Sequence, residues 1–465
     1  MDERCFSIFK NKFLSANYNT WERVMSSLKI DYEDLLDVIY ETIDQDKYVI
    51  ALYMIGIWPN LNPDIVARAI AAEQTTGTWI RTPMETPEMR KTVGAKVIGV
   101  YELPDHEIEI PKETQLRWFI FAIAFPWINF ETDISMIFST ITGNIMAYGR
   151  IKLLDIWMPK EYLKLFKGPK FGIDGLRNIL GVYDRPFIVA MIKPCVYYPP
   201  DIGAKLAYEA WAGGVDIIKD DELLANQSFN KVEDRVTKFM EALDKAVSET
   251  GEKKLYTVNI TSDPPKLFEL AERVQELGAN ALMVNCISVG LGAFKSLAED
   301  PSIKLPILVH SIDFSGTIYT SSTGGITSTL LMGKLVRIAG ADMNIYPAPY
   351  GKAPTFIKEK YLRIAKYLRA PMYNIKPTLP CPSGGITQLH VPQIIKDLGI
   401  DVGISAGGAI HAHPMGSRAG ARAMRQAIEA VLNRIPLEEY ARDKPELRSA
   451  IEAYKKGSLA MMLGL

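Results

Sequence analysis

Eight short apolar segments alternate with helical stretches from residue 187 onward, and this alternation limits the folds open to the chain. Runs of this length suit parallel strands that helices bury on both faces. The predicted strands are Phe187–Lys193, Val215–Lys219, Leu255–Ile260, Ala281–Asn285, Pro306–His310, Ala341–Tyr346, Thr378–Ser383 and Val402–Ala406. Gly251, Gly278, Gly340 and Gly399 stand where the intervening helices should end. Eight such units predict a closed (β/α)8 TIM barrel over residues 170–435.

The region before the barrel has a different pattern, which predicts a smaller α+β domain of ferredoxin-like type over residues 43–169. Strands are predicted at Lys47–Ile57, Lys96–Tyr101 and Arg117–Phe125, and helices at Asn62–Ala72 and Ile134–Ile141. Asn62 can cap its helix, and Pro63 suits the first turn, where a missing N–H costs nothing. Residues 1–42 are expected to form a polar, partly helical extension and residues 436–465 a helical tail.

Composition excludes several classes of function. A net charge of −1 gives no electrostatic case for binding nucleic acid or an anionic membrane. Cys5, Cys195, Cys286 and Cys381 are far apart, which argues against a zinc site or a disulfide framework and favours a reducing compartment. The N-terminus lacks the apolar core of a signal peptide, and no apolar run reaches the roughly 20 residues that span a bilayer. We therefore expect a cytoplasmic protein without nucleic-acid or membrane partners.

Charged residues follow the second predicted barrel strand directly, at Lys219, Asp220, Asp221 and Glu222. In such a barrel the chemistry collects where the strands end, so Asp221 and Glu222 could offer two hard oxygen ligands to Mg²⁺. Lys219 could pair with them as a cation, act as a neutral amine, or react with CO₂ to form a carbamate, a third oxygen ligand. A charge run of this kind is also typical of a solvated loop, so the other strand ends have to decide.

Most of the other predicted strands also end in polar residues or glycines. These are Lys193 after the first strand, His310 after the fifth, Lys352 after the sixth, Ser383, Gly384 and Gly385 after the seventh, and Gly407, Gly408 and His411 after the eighth. Glycines after the last two strands suit the usual phosphate site of this barrel, because their backbone N–H groups can reach an anion. Each glycine pair alone is more typical of a turn, but together they favour phosphate.

From about residue 45 the chain resembles the large chain of ribulose-1,5-bisphosphate carboxylase/oxygenase, RuBisCO. The motifs are AAEQTTGTW, IKP at residues 192–194, GGVDIIKDDE, the GK after strand six, SGGI at residues 383–386 and GGAIHAHP at residues 407–414. The resemblance implies Mg²⁺ bound by carbamylated Lys219 with Asp221 and Glu222. It also implies a homodimer, or a multiple of dimers, with active sites shared between subunits.

Several positions depart from the pattern of the carboxylases. Glu73, Thr78 and Trp79 match residues that the neighbouring subunit donates, but Met136 replaces a donated asparagine and Cys195 a lysine. Ser311 and Ile345 replace an arginine and a histidine that serve the distal phosphate in the family. Losing both costs several kcal/mol for a dianion, so the expected substrate carries one phosphate, held by Thr78, Trp79, Gly385 and Gly408.

Within the family, the chain is similar to the RuBisCO-like proteins of form IV. The segments GPKFGIDGLRNIL, INF, FSG, YPAPYG and GGAIHAHP resemble the 2,3-diketo-5-methylthiopentyl-1-phosphate enolases of methionine salvage. Two positions differ from those enolases. Asn144 stands where they carry a lysine, proposed as the base, and Lys352 stands where they lack one.

The predicted function is therefore Mg²⁺-dependent enolisation of a phosphorylated keto or diketo substrate. Lys193 could move the proton or polarise the oxygen, and Lys219 as a carbamate could be the base instead. His310 could orient the intermediate or be structural, and Cys195 is expected to be a packed residue because no basic partner is visible. The alternatives are a sugar-monophosphate isomerase or decarboxylase, for which Lys352 would be useful, a true carboxylase, and a non-catalytic regulator.

Overall fold

The computed structural model describes residues 36–77, 82–351 and 356–463, with side chains described as far as residue 455. Its strands are β1 (Tyr48–Ile57), β2 (Lys96–Glu102), β3 (Arg117–Pro126), β4 (Ile151–Trp157), β5 (Phe187–Met191), β6 (Ile217–Lys219), β7 (Leu255–Asn259), β8 (Ala281–Val284), β9 (Ile307–His310), β10 (Gly325–Ile326), β11 (Met343–Pro347), β12 (Leu379–Ser383) and β13 (Gly403–Ala406). They form one five-stranded and one eight-stranded sheet.

Helices fill the intervals between these strands. The α-helices are Pro63–Glu73, Pro87–Val93, Ile134–Ile141, Lys160–Leu163, Gly172–Leu180, Pro200–Ala212, Val232–Thr250, Lys266–Glu276, Leu291–Glu299, Gly316–Tyr319, Val336–Ile338, Lys358–Arg369, Val391–Leu398, Gly408–His411, Ser417–Leu432, Leu437–Tyr440 and Pro445–Leu463. A π-helical segment spans Thr329–Leu335, and short 3-10 turns lie at Tyr40–Thr42, Gln45–Lys47, Trp127–Asn129, Asn144–Tyr148, Gln388–His390 and Ala441–Asp443. No helix in the described part of the chain is long and apolar enough to cross a membrane.

The N-terminal domain has the predicted ferredoxin-like topology. Strands β4, β1, β3 and β2 lie side by side in that order, and each neighbouring pair is antiparallel. The helix Pro63–Glu73 lies between β1 and β2 in the chain, and the helix Ile134–Ile141 lies between β3 and β4. Asn62 caps the first helix as predicted, because its side-chain oxygen accepts hydrogen bonds from the backbone N–H groups of Asp64 (2.9 Å) and Ile65 (3.3 Å).

The C-terminal domain is a nearly closed barrel of eight parallel strands. The order is β12-β11-β9-β8-β7-β6-β5-β13, so all eight predicted strands are present. The two end strands of this order lie against each other, since a methyl group at Gly403 of β13 would stand 2.7 Å from the sulfur of Cys381 in β12. The carboxyl ends of all eight strands therefore meet at one face of the barrel.

An apolar cluster fills the inside of the barrel. A helix that the sequence analysis does not predict covers one end of this cluster. Ile173, Leu176 and Leu180 of the helix Gly172–Leu180 pack with Phe187 at the start of β5. Arg177 of the same helix donates hydrogen bonds to backbone oxygens that precede β5 and β13. This helix covers the end of the barrel opposite to the face where the strands end.

Strand β10 lies within the barrel segment but belongs to the N-terminal sheet, where it pairs in parallel with β4. Next to this pairing, the backbone N–H of Thr327 donates to the carbonyl of Leu153 (3.0 Å). Lys334 donates to an oxygen of Asp155 (2.5 Å) and to the carbonyl of Ile156 (2.7 Å). The two domains are therefore joined by backbone pairing and by a partly buried ion pair.

We expect Gly325→Ala to destabilise the protein more than Gly181→Ala. Both glycines have left-handed backbones, with φ of +81° and +71°, so either alanine costs about 1–2 kcal/mol. A methyl group at Gly181 meets no atom within 4 Å, whereas one at Gly325 would overlap the carbonyl oxygen of Ile318 and cost about 1–3 kcal/mol more. Urea unfolding of both variants measures the difference in the free energy of unfolding. Equal losses of stability would contradict a tight contact between Gly325 of β10 and the carbonyl of Ile318.

Candidate active site

Four of the predicted site residues are in contact at the face where the barrel strands end. Lys219 is the last residue of β6, and its fully buried Nζ donates to the carbonyl of Asp220 (2.8 Å) and to Oε2 of Glu222 (2.9 Å). Asp221 is also fully buried, and its Oδ2 accepts a hydrogen bond from Nζ of Lys193 (2.5 Å). Two lysine–carboxylate pairs therefore form adjacent parts of one site.

The charges of these residues are set by their neighbours. Burial raises the pKa of Glu222, but the Lys219 ammonium and His310 outweigh it and bring the pKa to about 2, so this carboxylate is ionised at neutral pH. Burial lowers the pKa of Lys193, but its hydrogen bonds to Asp221 and Cys195 and the charges of these two groups together raise it more, and the net shift is upward. Lys193 is therefore held as an ammonium, which can donate a proton but cannot accept one.

His310 joins the same group from the end of β9. Its Nε2 lies 3.7 Å from Oε2 of Glu222, and its Nδ1 is buried without a hydrogen-bond partner in the described structure. Burial, and then the charge of Lys219, lower the pKa of His310 to about 4. The imidazole is therefore neutral at physiological pH, and one of its nitrogens is available to a ligand.

A buried ion pair that the sequence analysis does not predict lies beneath the site. Asp220 accepts hydrogen bonds from Nε of Arg235 (3.1 Å), the hydroxyl of Tyr256 (2.8 Å) and the backbone N–H of Asn259 (3.0 Å). Asp220 and Arg235 are both fully buried. The side chain of Asp220 therefore points away from the site and fixes the backbone between Lys219 and Asp221.

Two asparagines hold the next backbone carbonyls in place. Nδ2 of Asn259 donates to the carbonyl of Asp221 (3.1 Å), and Nδ2 of Asn285 donates to the carbonyl of Glu222 (3.0 Å). Asn259 ends β7 and Asn285 follows β8, so the rule that identified polar residues at strand ends could have found both. The partner of Asp220, by contrast, is 15 residues away on a helix and carries no sequence signal.

The glycines predicted to bind phosphate follow β12 and β13. Ser383 ends β12 and is buried, and Gly384 and Gly385 have φ of +104° and +86°, a left-handed backbone that favours glycine. A methyl group at Gly407 would stand 3.1 Å from Cε of Lys193, while one at Gly408 would meet nothing within 4 Å. The backbone at Gly408 is therefore open, and that at Gly407 lies against a residue of the site.

The expectation that Cys195 lacks a basic partner is wrong. Nζ of Lys193 donates a hydrogen bond to its sulfur at 2.9 Å, and the thiol is only partly buried. The partner is two residues away in the sequence, but spacing alone does not show whether the Lys193 side chain is directed at Cys195, because Pro194 sets the backbone path between them.

The remaining site predictions fall on the N-terminal domain or outside the described residues. Thr78, Trp79 and Lys352 lie outside the described residues. Glu73 is partly exposed at the end of its helix. Met136 is 45% exposed on the helix Ile134–Ile141. The donation of such residues to a neighbouring subunit stays a prediction.

The donor set fits a magnesium ion if Lys219 is modified. Within residues 36–77, 82–351 and 356–463, no three His, Cys, Asp or Glu side chains are grouped as metal ligands. The predicted triad is of another kind, because its third member is a lysine that offers an oxygen only as a carbamate. Asp221 and Glu222 are hard ligands that suit Mg²⁺, and Lys219 Nζ is already directed at Glu222.

Comparison with known proteins identifies the family. Residues 172–454 match the family model "Ribulose bisphosphate carboxylase large chain, catalytic domain", and residues 34–162 match the corresponding N-terminal domain. The chain therefore belongs to the RuBisCO large-chain family, as the motifs predicted. The predicted domain limits at residues 42, 169 and 435 stay predictions.

Within that family the chain is a RuBisCO-like protein related to the methionine-salvage enolases. It is 55% identical to the ribulose bisphosphate carboxylase-like protein of Archaeoglobus fulgidus over 396 residues, which cover 85% of this chain and 90% of that protein. It is 38% identical to the 2,3-diketo-5-methylthiopentyl-1-phosphate enolase of Bacillus cereus (strain G9842) over 413 residues, covering 87% of this chain and 97% of the enolase.

Solved structures of a RuBisCO-like protein and of RuBisCOs are also similar to this chain. The rubisco-like protein MtnW of Alicyclobacillus acidocaldarius has a TM-score of 0.80 and 35% identity, covering 88% of this chain and 99% of its own. The octameric Rubisco of Pyrococcus horikoshii has a TM-score of 0.82 and 32% identity, covering 91% of this chain and 97% of its own. The dimeric archaeal Rubisco of Hyperthermus butylicus has a TM-score of 0.80 and 31% identity, covering 91% of this chain and 99% of its own.

We expect Arg235→Met to lower the free energy of unfolding by about 3–5 kcal/mol, because it leaves the buried Asp220 carboxylate without its cation. Arg273→Met is the matched control. The Arg273 side chain is 49% exposed and pairs with glutamates at 3.4 Å, so its loss should cost less than about 1 kcal/mol. Guanidinium unfolding curves measure both, and losses of similar size would mean that Asp220 does not depend on Arg235.

Proposed function

We propose that this protein is a Mg²⁺-dependent enolase of a phosphorylated keto or diketo compound, with 2,3-diketo-5-methylthiopentyl 1-phosphate of methionine salvage as the candidate substrate. The observation that carries the proposal is the pair of contacts at the end of β6, between Lys219 and Glu222 (2.9 Å) and between Lys193 and Asp221 (2.5 Å). The activity named for the Bacillus relatives supports the choice of substrate.

Asp221, Glu222 and Lys219, the last as a carbamate formed with CO₂, would hold the metal ion. Mg²⁺ bound there would polarise a substrate carbonyl and stabilise the charge that develops when the adjacent C–H bond loses its proton. The pKa of Glu222 near 2 keeps its carboxylate available at neutral pH. His310, which is neutral and has an unpaired buried Nδ1, can orient the substrate by a hydrogen bond.

The roles of the two lysines follow from their partners. Lys193 is an ammonium paired with Asp221, so it is suited to donate a hydrogen bond or a proton to a substrate oxygen. Asn144, at the position of the proposed base in the enolases, is exposed and has no acid–base function near neutral pH. Lys219 is therefore this chain's candidate for accepting the proton.

The substrate is proposed to carry a single phosphate. Backbone N–H groups at Gly384, Gly385 and Gly408, beside the buried Ser383, would bind it. At the position of the family's distal-phosphate arginine, the hydroxyl of Ser311 donates to the carbonyl of Ile345 (3.1 Å), and both residues are buried. Neither side chain can supply a cation to a second phosphate.

We further propose that the active form is a homodimer or a multiple of dimers, in which Glu73, Thr78 and Trp79 of one subunit complete the site of another. The names of the structural relatives, one dimeric and one octameric, support this proposal.

A second candidate is a sugar-monophosphate isomerase or decarboxylase that uses the same enolate chemistry. The replacement of the proposed base by Asn144 favours it, as does the sequence position of Lys352, which suits a reaction that forms or loses a carboxylate. A true carboxylase needs a bisphosphate, which the Ser311 and Ile345 substitutions disfavour.

We expect the enzyme, with Mg²⁺ and bicarbonate in D₂O, to exchange the C1 protons of 2,3-diketo-5-methylthiopentyl 1-phosphate, as followed by proton NMR. Lys219→Gln should slow the exchange at least about 100-fold, because it removes a metal ligand and the proton acceptor. Lys254→Gln is the matched control, since Lys254 is also buried but precedes β7 at the opposite end of the barrel. Absence of exchange in the wild-type enzyme would redirect the search to sugar monophosphates.

We expect a carbamate on Lys219 when the protein is equilibrated with ¹³C-bicarbonate and Mg²⁺. A protein-bound carbamate carbon signal should be present in the wild type and in Lys254→Gln and absent in Lys219→Gln. A signal that survives in Lys219→Gln would place the modification on another lysine, and no signal in the wild type would remove the proposed third ligand.

A further inference from the structure

His411 is a titratable residue beside the site to which the proposed function gives no role. It ends the short helix Gly408–His411, which follows Gly407 at the end of β13. Its Nδ1 lies 3.0 Å from Oγ of Ser417, whereas its Nε2 is buried and has no hydrogen-bond partner in the described structure. Leaving such a group unpaired costs about 1–3 kcal/mol, so a partner from outside the chain would stabilise it.

Two observations relate this imidazole to the candidate site. Lys193 packs against Gly407, the residue that precedes the helix of His411. Burial, and then the nearby charge of Lys193, lower the pKa of His411 to about 4, so the ring is neutral and lies within the electrostatic reach of the site ammonium. His411 therefore follows Gly408, one of the glycines proposed for phosphate, by three residues in the chain and is under the electrostatic influence of the lysine that contacts Asp221.

The helix that carries His411 is held rigidly from behind. Nε2 of Gln388 donates to the carbonyls of Ala409 (3.2 Å) and Gly420 (3.1 Å), and the hydroxyl of Tyr454 donates to the carbonyl of Ala409 (3.3 Å). These contacts hold the backbone of the helix, and the contact with Ser417 holds the imidazole. A preorganised donor of this kind binds a ligand without a large loss of side-chain entropy.

We propose that His411 is a further phosphate-binding residue, whose Nε2–H donates a hydrogen bond to an oxygen of the substrate phosphate. This inference rests on the proposed function for the phosphate site. The Ser417 hydroxyl has a single hydrogen, and we assign it to Nδ1, which leaves the ring hydrogen on Nε2. A neutral donor binds the anion without adding another positive charge beside Lys193.

The test is the binding of inorganic phosphate to the Mg²⁺- and bicarbonate-treated enzyme, measured by calorimetry without any substrate. His411→Ala should weaken phosphate binding at least about 10-fold, as expected for a hydrogen bond to a charged group. His411→Gln retains an N–H donor and should restore part of the affinity. Ser417→Ala leaves both ring tautomers accessible and should weaken binding about twofold, since only half the molecules would then carry the hydrogen on Nε2.

His413→Gln is the matched control. His413 lies two residues away, but both of its nitrogens are paired, Nε2 with the carbonyl of Glu446 (3.0 Å) and Nδ1 with the backbone N–H of Met415 (3.1 Å). Its substitution should change thermal stability without changing phosphate affinity. Unchanged phosphate binding in folded His411→Ala would overturn the inference, and so would a loss of equal size in His413→Gln.

In turnover, the His411 variants should raise KM and leave kcat near the wild-type value, because the phosphate contact is the same in the ground state and the transition state. A fall in kcat with unchanged phosphate affinity would overturn the inference by assigning His411 to the chemical step. Phosphate binding needs no catalysis, so failure to enolise the diketone would not affect this test. Conversely, failure of the His411 test would leave the enolase proposal intact.

Discussion

Six buried or partly buried charges form three pairs at and beneath the end of β6, and each is stable there only because an opposite charge is in contact with it. Lys219 pairs with Glu222, Lys193 with Asp221, and Asp220 with an arginine beneath them. In a medium of low dielectric constant an unpaired charge would cost several kcal/mol, so no member can be removed without affecting its partner. The parallel strands and the helices around them provide the rigid support that this arrangement needs.

The sequence allowed the barrel and the main charged residues of the site to be predicted, because both depend on local patterns. Buried parallel strands are apolar runs, and the residues at the end of such a run lie at the face where the barrel strands end, so Lys219, Asp221 and His310 could be predicted there. Two strands that were not predicted, β4 and β10, have no such pattern. Strand β4 is interrupted by charges that are paired only in the folded protein, and β10 has two residues. Tertiary partners such as Arg235 for Asp220 cannot be read from spacing.

The same fold serves both carboxylases and enolases, so the difference in function has to come from a few residues at the strand ends. In this chain the pair that would hold Mg²⁺ is retained, while the cation for a distal phosphate is replaced by Ser311. A lysine of the carboxylases is replaced by Cys195, whose thiol now contacts Lys193. Under the proposed function, these differences would change substrate recognition and proton transfer and would leave the proposed magnesium ligands, Asp221 and Glu222, unchanged.

The pairing of β10 with β4 means that the segment between β9 and β11 is not an independent loop. One end of it follows His310 in the site, and its middle is a strand of the N-terminal sheet. Lys334 and Asp155 extend the junction by a further contact. A rotation of the N-terminal domain would therefore move β10, and residues 311–324 connect β10 to His310, so the geometry of the site and the relative orientation of the two domains are coupled through this segment.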